Sequence, residues 1–274
     1  MKNWNSELKK CLLDKSRKYM IEKYIFPDGL WKRQSKVLEK ITDQDLTLVI
    51  KSRAVGFTDL IAAFTACEMV LNGDSNMGVV YMCQNRMSGD FFIRNVAKYI
   101  QKIPKELWCM TIEEGALYNV ITNATLYFGN AKLSYSTNDR ISHKPTYIIY
   151  DEPVTCRDKY DIECSLMNLK SAWGGEMKVI VGGCGNHRNT KWFDFVKKYK
   201  NTGSYIEMPW WTNPNNKVNE EDQVIVMTDA NNEVQYYSNK WYRERKMMYG
   251  FNEDDFDDEF ECKVWKYKTE KEFA

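Results

Sequence analysis

Two short stretches of this 274-residue chain carry side chains whose types and spacing suit phosphate chemistry. The first is Leu46–Thr58, LTLVIKSRAVGFT: an apolar run, a turn of small residues around Gly56, then a hydroxyl residue, Thr58, at the mouth of a helix. A strand-to-helix loop of this kind offers an anion unpaired backbone N–H groups and the positive end of a helix dipole, and a threonine at the helix start is placed to ligate Mg²⁺. The usual pattern G-x-x-x-x-G-K-[ST] is broken twice, by Lys51 in place of the first small residue and by Phe57 in place of the lysine. A plain strand-turn-helix is the alternative reading of these residues taken alone.

The second stretch, Tyr147-Ile148-Ile149-Tyr150-Asp151-Glu152-Pro153, is an apolar strand that ends in two acids. Open α/β sheets bind ligands beyond the carboxyl ends of their strands, which is where this pair falls. In phosphoryl transfer the first acid holds the metal and the second polarises the attacking water. Acid pairs at strand ends also serve as helix caps. In this order, and about ninety residues apart, the two stretches point to an ATPase with Thr58 and Asp151 as Mg²⁺ ligands and Glu152 as the activating base.

Such loops need a parallel sheet to hold them, and the hydrophobic pattern supplies one. Leu46–Ile50 precedes a helix over Leu60–Leu71, and Met77–Cys83 precedes one from Ser88 to Ile103. Tyr147–Tyr150 precedes a helix over Lys159–Ser171, and Met177–Val181 one over Lys191–Lys200. Strands alternating with helices in this way predict a doubly wound core. Between Tyr118 and Ser136, turn residues at Asn123-Ala124 and Gly129-Asn130 separate Thr125–Phe128 from Lys132–Ser136, which predicts a hairpin at the sheet edge. After Gly203 come the apolar run Tyr205–Met208, a polar segment Thr212–Asp222, the run Val224–Thr228 and a helix over Ser238–Tyr249. These are expected to form a small lid, giving a core over residues 1–202, with an N-terminal helical region, and a lid over 203–274.

Composition excludes several other classes. No apolar run approaches the ~18–20 residues that a membrane span needs, and the first twenty residues lack the apolar stretch of a signal peptide. Eight cysteines (Cys11, Cys67, Cys83, Cys109, Cys156, Cys164, Cys184 and Cys262) form no C-x-x-C pair, so neither a disulfide framework nor a zinc site is expected. With only His143 and His187, histidine-based metal chemistry is excluded as well. The ends are opposite in charge: residues 1–40 hold eleven Lys/Arg against five Asp/Glu, and residues 251–274 hold four against nine. These are either two solvated helical faces or surfaces that meet between neighbouring subunits.

The detail of these motifs resembles the ATPase domain of tailed-phage terminase large subunits, over roughly residues 20–265. Lys51-Ser52-Arg53-Ala54-Val55-Gly56-Phe57-Thr58 is similar to the deviant phosphate loop of lambda-like terminases, which begins Lys-Ser, ends Gly-aromatic-hydroxyl and carries its basic residue at the front. The resemblance implies that Lys51 takes the lysine role, with Arg53 as a second phosphate contact or as its replacement. Gly29-Leu30-Trp31-Lys32-Arg33-Gln34 resembles the element that reads adenine, which implies that Gln34 offers its amide to the base. Gln84-Asn85-Arg86 looks like the loop that faces DNA, and Arg140, twelve residues before Glu152, falls where the family has an arginine finger serving a neighbouring subunit. Where the family has Ser/Thr-Thr-Pro in its coupling motif, this chain has Gly182-Gly183-Cys184. Trp210-Trp211, Lys240-Trp241-Tyr242 and Phe256–Cys262 match the aromatic segments of the lid.

The resemblance implies a P-loop ATPase using ATP and Mg²⁺ that drives double-stranded DNA into a procapsid, gripping the backbone without reading sequence. Implied partners are a portal protein, a small terminase subunit and further copies of the chain in a ring that forms in activity. The expected location is the host cytoplasm, transiently docked on the procapsid and absent from the mature virion, with no membrane association. Too few residues follow Cys262 for a nuclease domain, so no nuclease activity is expected of this chain. A helicase-like remodeling ATPase is the alternative within the class. Phe57 and Gly182-Gly183-Cys184 motivate a third, a catalytically inert nucleotide-binding assembly module.

Overall fold

The computed structural model describes residues 17–71, 77–83, 85–113, 115–130, 145–153, 162–173, 177–185, 190–216, 227–228, 234–236, 240–248 and 262. Along the chain run helix α1 (Arg17–Met20), continued by a wider turn at Ile21–Ile25, helix α2 (Lys32–Asp43), strand β1 (Leu46–Lys51), helix α3 (Phe57–Leu71), strand β2 (Gly78–Cys83) and helix α4 (Arg86–Ile100). Strands β3 (Met110–Glu113), β4 (Ala116–Asn119), β5 (Ala124–Asn130) and β6 (Pro145–Asp151) follow, then helix α5 (Ile162–Trp173), strand β7 (Lys178–Gly183), helix α6 (Thr190–Tyr199) and strand β8 (Tyr205–Met208). A short pair, β9 (Met227–Thr228) and β10 (Val234–Tyr236), precedes helix α7 (Lys240–Met248).

The first eight strands form one sheet in the order β3-β4-β5-β2-β6-β7-β1-β8. From β5 to β8 every pairing is parallel, and β3 and β4 add an antiparallel edge. Period-two alternation along the parallel strands sends side chains to two separate cores. Val49, Val79, Tyr81, Ile149 and Ile180 pack with Phe64 of α3 and Phe92 of α4. Leu48, Ile50, Val80, Tyr150 and Val181 pack with Leu166 of α5 and Trp192 of α6. Both faces are thus covered, which is why these strands read as unbroken apolar runs.

The chain leaves β1 toward β2 on one side and leaves β7 toward β8 on the other. The carboxyl ends of β1, β7 and β6 therefore flank the crevice where connections reverse, the usual ligand position in open α/β sheets. Helix α3, which rises from that crevice, is buried at every position except Thr58 and Asp59. Its one buried carboxylate, Glu68, is ion-paired with Arg17, and this ties α1 to the core.

The four strand-helix units of the sequence pattern are all present, with helix ends shifted by a few residues. The edge differs. Strand β5 is parallel to β2 and makes its hairpin with the preceding strand β4, through the turn Val120–Asn123. The sequence had paired Thr125–Phe128 with Lys132–Ser136, which lies outside the described residues. The turn at Asn123, whose φ is 52°, closes the earlier hairpin. Strand β8, grouped with the lid on sequence, pairs with β1 and completes the sheet. Past it, Trp210 stacks on Trp241 of α7, with ring centroids 4.9 Å apart, and packs on Tyr242.

Candidate active site

The loop between β1 and α3 turns sharply, because Ala54 and Gly56 both adopt positive φ, 57° and 67°. Backbone of this kind curls successive N–H groups toward a common concavity, an anion-binding arrangement. A Cβ at Gly56 would also lie 2.7 Å from Gln34 Nε2 and push that amide aside. That amide nitrogen donates to the Gly56 carbonyl at 3.4 Å, while Gln34 Oε1 accepts the Trp31 N–H at 3.1 Å. Gln34, expected to meet adenine, is thus placed against the phosphate loop itself. On the other side Asn213 Nδ2 donates to the Ala54 carbonyl at 2.8 Å, and the Ser52 N–H donates to the Met208 carbonyl at 2.9 Å. The loop is held from both flanks, and Arg53 stands exposed at its tip.

Lys51 ends β1 and is buried. Its ammonium is ion-paired with Glu152, lies 3.6 Å from Asp151 Oδ1, and sits 5.6 Å from the centre of the Phe57 ring. Burial by itself lowers a lysine pKa, but the charges of Asp151 and Glu152 outweigh it and hold Lys51 above its ordinary value. The reciprocal holds for Glu152: burial raises a carboxyl, and Lys51 overcomes this and keeps it below the ordinary range.

Asp151 ends β6 with its two oxygens in different states. Oδ2 accepts from the Thr58 hydroxyl at 2.8 Å and from the Tyr81 hydroxyl at 3.0 Å. Oδ1 is buried with no hydrogen-bond partner. A buried carboxylate oxygen with no hydrogen bond, facing a cation only at the 3.6 Å of Lys51 and beside a helix-start threonine, is the kind of oxygen a hard divalent cation takes. The residues present therefore fit Mg²⁺, with Asp151 and Thr58 as the side chains to hold it.

Glu152 adopts φ 54°, a left-handed conformation that costs a non-glycine residue on the order of 1–3 kcal/mol and persists only where surroundings enforce it. The enforcing contacts are explicit. Its N–H donates to the Gly182 carbonyl at 2.7 Å, and Glu152 Oε2 accepts from the Cys184 N–H at 3.3 Å. The Cys184 thiol adds a contact to Oε1 at 3.3 Å. The segment Gly182-Gly183-Cys184 therefore grips the second acid through backbone and thiol.

The two departures from the usual pattern are one packing solution. Gly182 lies between Val49 of β1 and Asp151 of β6 in register. A Cβ on Gly182 would fall 2.1 Å from the Phe57 ring. Phe57, almost fully buried, occupies the space a side chain at 182 would need. Glycine at 182 and the ring at 57 therefore fit each other, with the Lys51 ammonium 5.6 Å from the ring centre.

Of the residues expected from sequence, Gln34, the loop Lys51–Thr58, Asp151 and Glu152 all meet in this crevice. Arg140 lies outside the described residues. Sequence reasoning missed Tyr81 and Asn213. Tyr81 carries a faint signal, a hydroxyl near the carboxyl end of the otherwise apolar strand GVVYMC. Asn213 carries none within its polar segment.

No protein-family profile and no curated protein sequence matches the chain. Solved structures do. The crystal structure of the HK97 bacteriophage large terminase matches with TM-score 0.62 and 16% identity, over 91% of this chain and 54% of that one. This chain thus spans about half the length of that protein. The large terminase ATPase domain of Thermus phage P74-26 matches with TM-score 0.61 and 9% identity, over 86% of this chain and 94% of that one. The chain has the fold of phage large-terminase ATPase domains.

Proposed function

We propose that this chain is the ATP-hydrolysing domain of a phage DNA-packaging motor. The observation that carries the reading is the bond from Thr58 to Asp151, which joins the helix start of the phosphate loop to the acidic strand and leaves Asp151 Oδ1 without a hydrogen bond. Thr58 and Asp151 are the side chains that would hold Mg²⁺, which would supply charge stabilisation at the phosphate oxygens of ATP. Lys51 neutralises the acids without nucleotide and turns to the phosphates when they enter, with Arg53 as a further contact at the loop tip. Glu152 then loses its cation partner and accepts the proton of the attacking water, while Cys184 and the Gly182 carbonyl keep it aligned. Gln34 and Asn213 hold the loop backbone in its curled form.

The likeness to the HK97 and P74-26 proteins supports assigning double-stranded DNA as the cargo, with a portal and a ring of copies as partners. The fold covers the P74-26 ATPase domain almost end to end, which supports placing ATP hydrolysis, and not DNA cleavage, in these residues.

The test is a phosphate-release assay alongside binding of a fluorescent ATP analogue. Wild-type protein is expected to hydrolyse ATP with Mg²⁺, and Glu152→Gln to bind the analogue within about threefold of wild type with turnover reduced at least a hundredfold. That loss is about 2.7 kcal/mol of transition-state stabilisation. Turnover at the wild-type rate in Glu152→Gln removes the assignment of the base. Binding without turnover in the wild type, even with DNA and at ring-forming concentration, would favour the inert assembly module.

A further inference from the structure

We propose that Tyr81 is a positioning residue for the metal-holding carboxylate: its hydroxyl, donating to Asp151 Oδ2, keeps Oδ1 turned toward the cation. The inference rests on the reading of Asp151 as a metal ligand given above.

Tyr81 lies on β2, opposite Ile149 of the neighbouring strand β6, on the same face as Asp151. Its ring stacks on Phe92 of α4, with centroids 3.7 Å apart and planes within 5°. Phe92 is wholly buried and Tyr81 nearly so, so the phenol has one place to stand. A phenylalanine at this position would fill the same space and stack in the same way. Packing therefore does not call for the hydroxyl, and its hydrogen bond is the 3.0 Å contact to Asp151 Oδ2.

A carboxylate at the end of a strand rotates about its last bond unless both rotation senses are opposed. Thr58 supplies one donor to Oδ2, but its oxygen is itself wanted by the cation. A second donor from a different element, held by ring stacking and not by a flexible chain, leaves Oδ2 satisfied whatever Thr58 does. The oxygen without a hydrogen bond, facing the Lys51 ammonium at 3.6 Å, is then always Oδ1. Metal sites depend in this way on outer hydrogen bonds to the ligating carboxylate, whose loss commonly costs ten- to a hundredfold in metal affinity.

The experiment uses the full chain as wild type and Tyr81→Phe, with Mn²⁺ as the probe ion. Free Mn²⁺ is read by electron paramagnetic resonance in the presence of ADP, and ADP binding is measured separately in EDTA. Tyr81→Phe is expected to weaken Mn²⁺ binding in the ADP complex about tenfold while leaving metal-free ADP binding within twofold. A second variant, Phe92→Leu, loosens the ring without touching the hydroxyl and is expected to weaken Mn²⁺ binding by two- to fivefold. Equal Mn²⁺ affinity in wild type and Tyr81→Phe overturns the proposal. So does an equal loss with and without metal, which marks a merely structural role. Failure of the wild type itself to bind Mn²⁺ with ADP overturns the reading of Asp151 instead, so the two failures are distinct.

Discussion

The units β1–α3 and β2–α4 are built alike, a buried parallel strand, a loop and a fifteen-residue helix, yet only one makes a site. The difference begins at the helix start. Helix α4 is capped by its own sequence: Asn85 Oδ1 accepts from the Ser88 N–H at 2.9 Å. Helix α3 is preceded by Gly56, which has no side chain to offer, so its first N–H groups face the crevice with the positive end of the dipole. The second difference is burial. Helix α3 is covered almost all round, whereas α4 exposes Met87, Phe91, Arg94 and Lys98 along one stripe. The helix that carries the β1–α3 loop is locked in the core, and its neighbour is left to present a surface.

The sharpest way to break this comparison is to remove the cation that balances the two acids. Lys51→Met leaves the half-buried Glu152 and Asp151 without it, at an expected cost of about 3 kcal/mol at pH 8, the low end for breaking a buried pair, measured by urea unfolding. The sign with pH follows from the shifts. Glu152, held low in the fold, contributes stability present above its ordinary value of ~4.3 and lost as pH falls through its depressed one. Lys51, held high, contributes below its ordinary value of ~10.4 and loses that contribution only as pH rises through its raised one. The wild-type contribution is therefore flat between those limits. In Lys51→Met burial dominates and raises Glu152, so the deficit shrinks as pH drops from 8 to 5. A deficit that stays constant over that range would show that the acids are not coupled to Lys51.

A smaller effect is expected at the packing pair of Phe57 and Gly182. Gly182→Ala drives a methyl into the Phe57 ring and is expected to cost about 1–3 kcal/mol. Adding Phe57→Leu should recover at least half of it, and a double-mutant cycle with no coupling would separate the two departures. The smallest effect belongs to the second unit. Asn85→Ala removes the α4 cap at a cost of about 1 kcal/mol by thermal unfolding, with nucleotide affinity unchanged. A matching loss of nucleotide affinity would mean that the two helix starts are not independent.

Legibility in the sequence followed the range of each interaction. The strands β1, β2, β6 and β7 and the helices after them were readable because alternation of apolar runs and helical spacing is a local pattern. That Lys51, Thr58, Asp151 and Glu152 would come together was readable because three of them stand at the ends of apolar strands and the fourth opens the helix after one. The pairing of β4 with β5 was not, since two turn signals lay close together and both suited a hairpin. Gln34 was expected to meet adenine; that its amide would brace the Gly56 carbonyl was not readable.

By itself the sequence determined the layered α/β architecture and the order of the loop and the acids, because hydrophobic period and residue type are written along the chain. Only the tertiary structure decided that β7 would lie between β1 and β6 and bring Gly182 beneath Phe57. It also decided that Tyr81 and Asn213, seventy and sixty-two residues from Asp151 in sequence, would serve the same crevice as Asp151 and Ala54. Those contacts join residues on different strands and loops, and they come into being only when parallel strands with long crossovers are laid side by side.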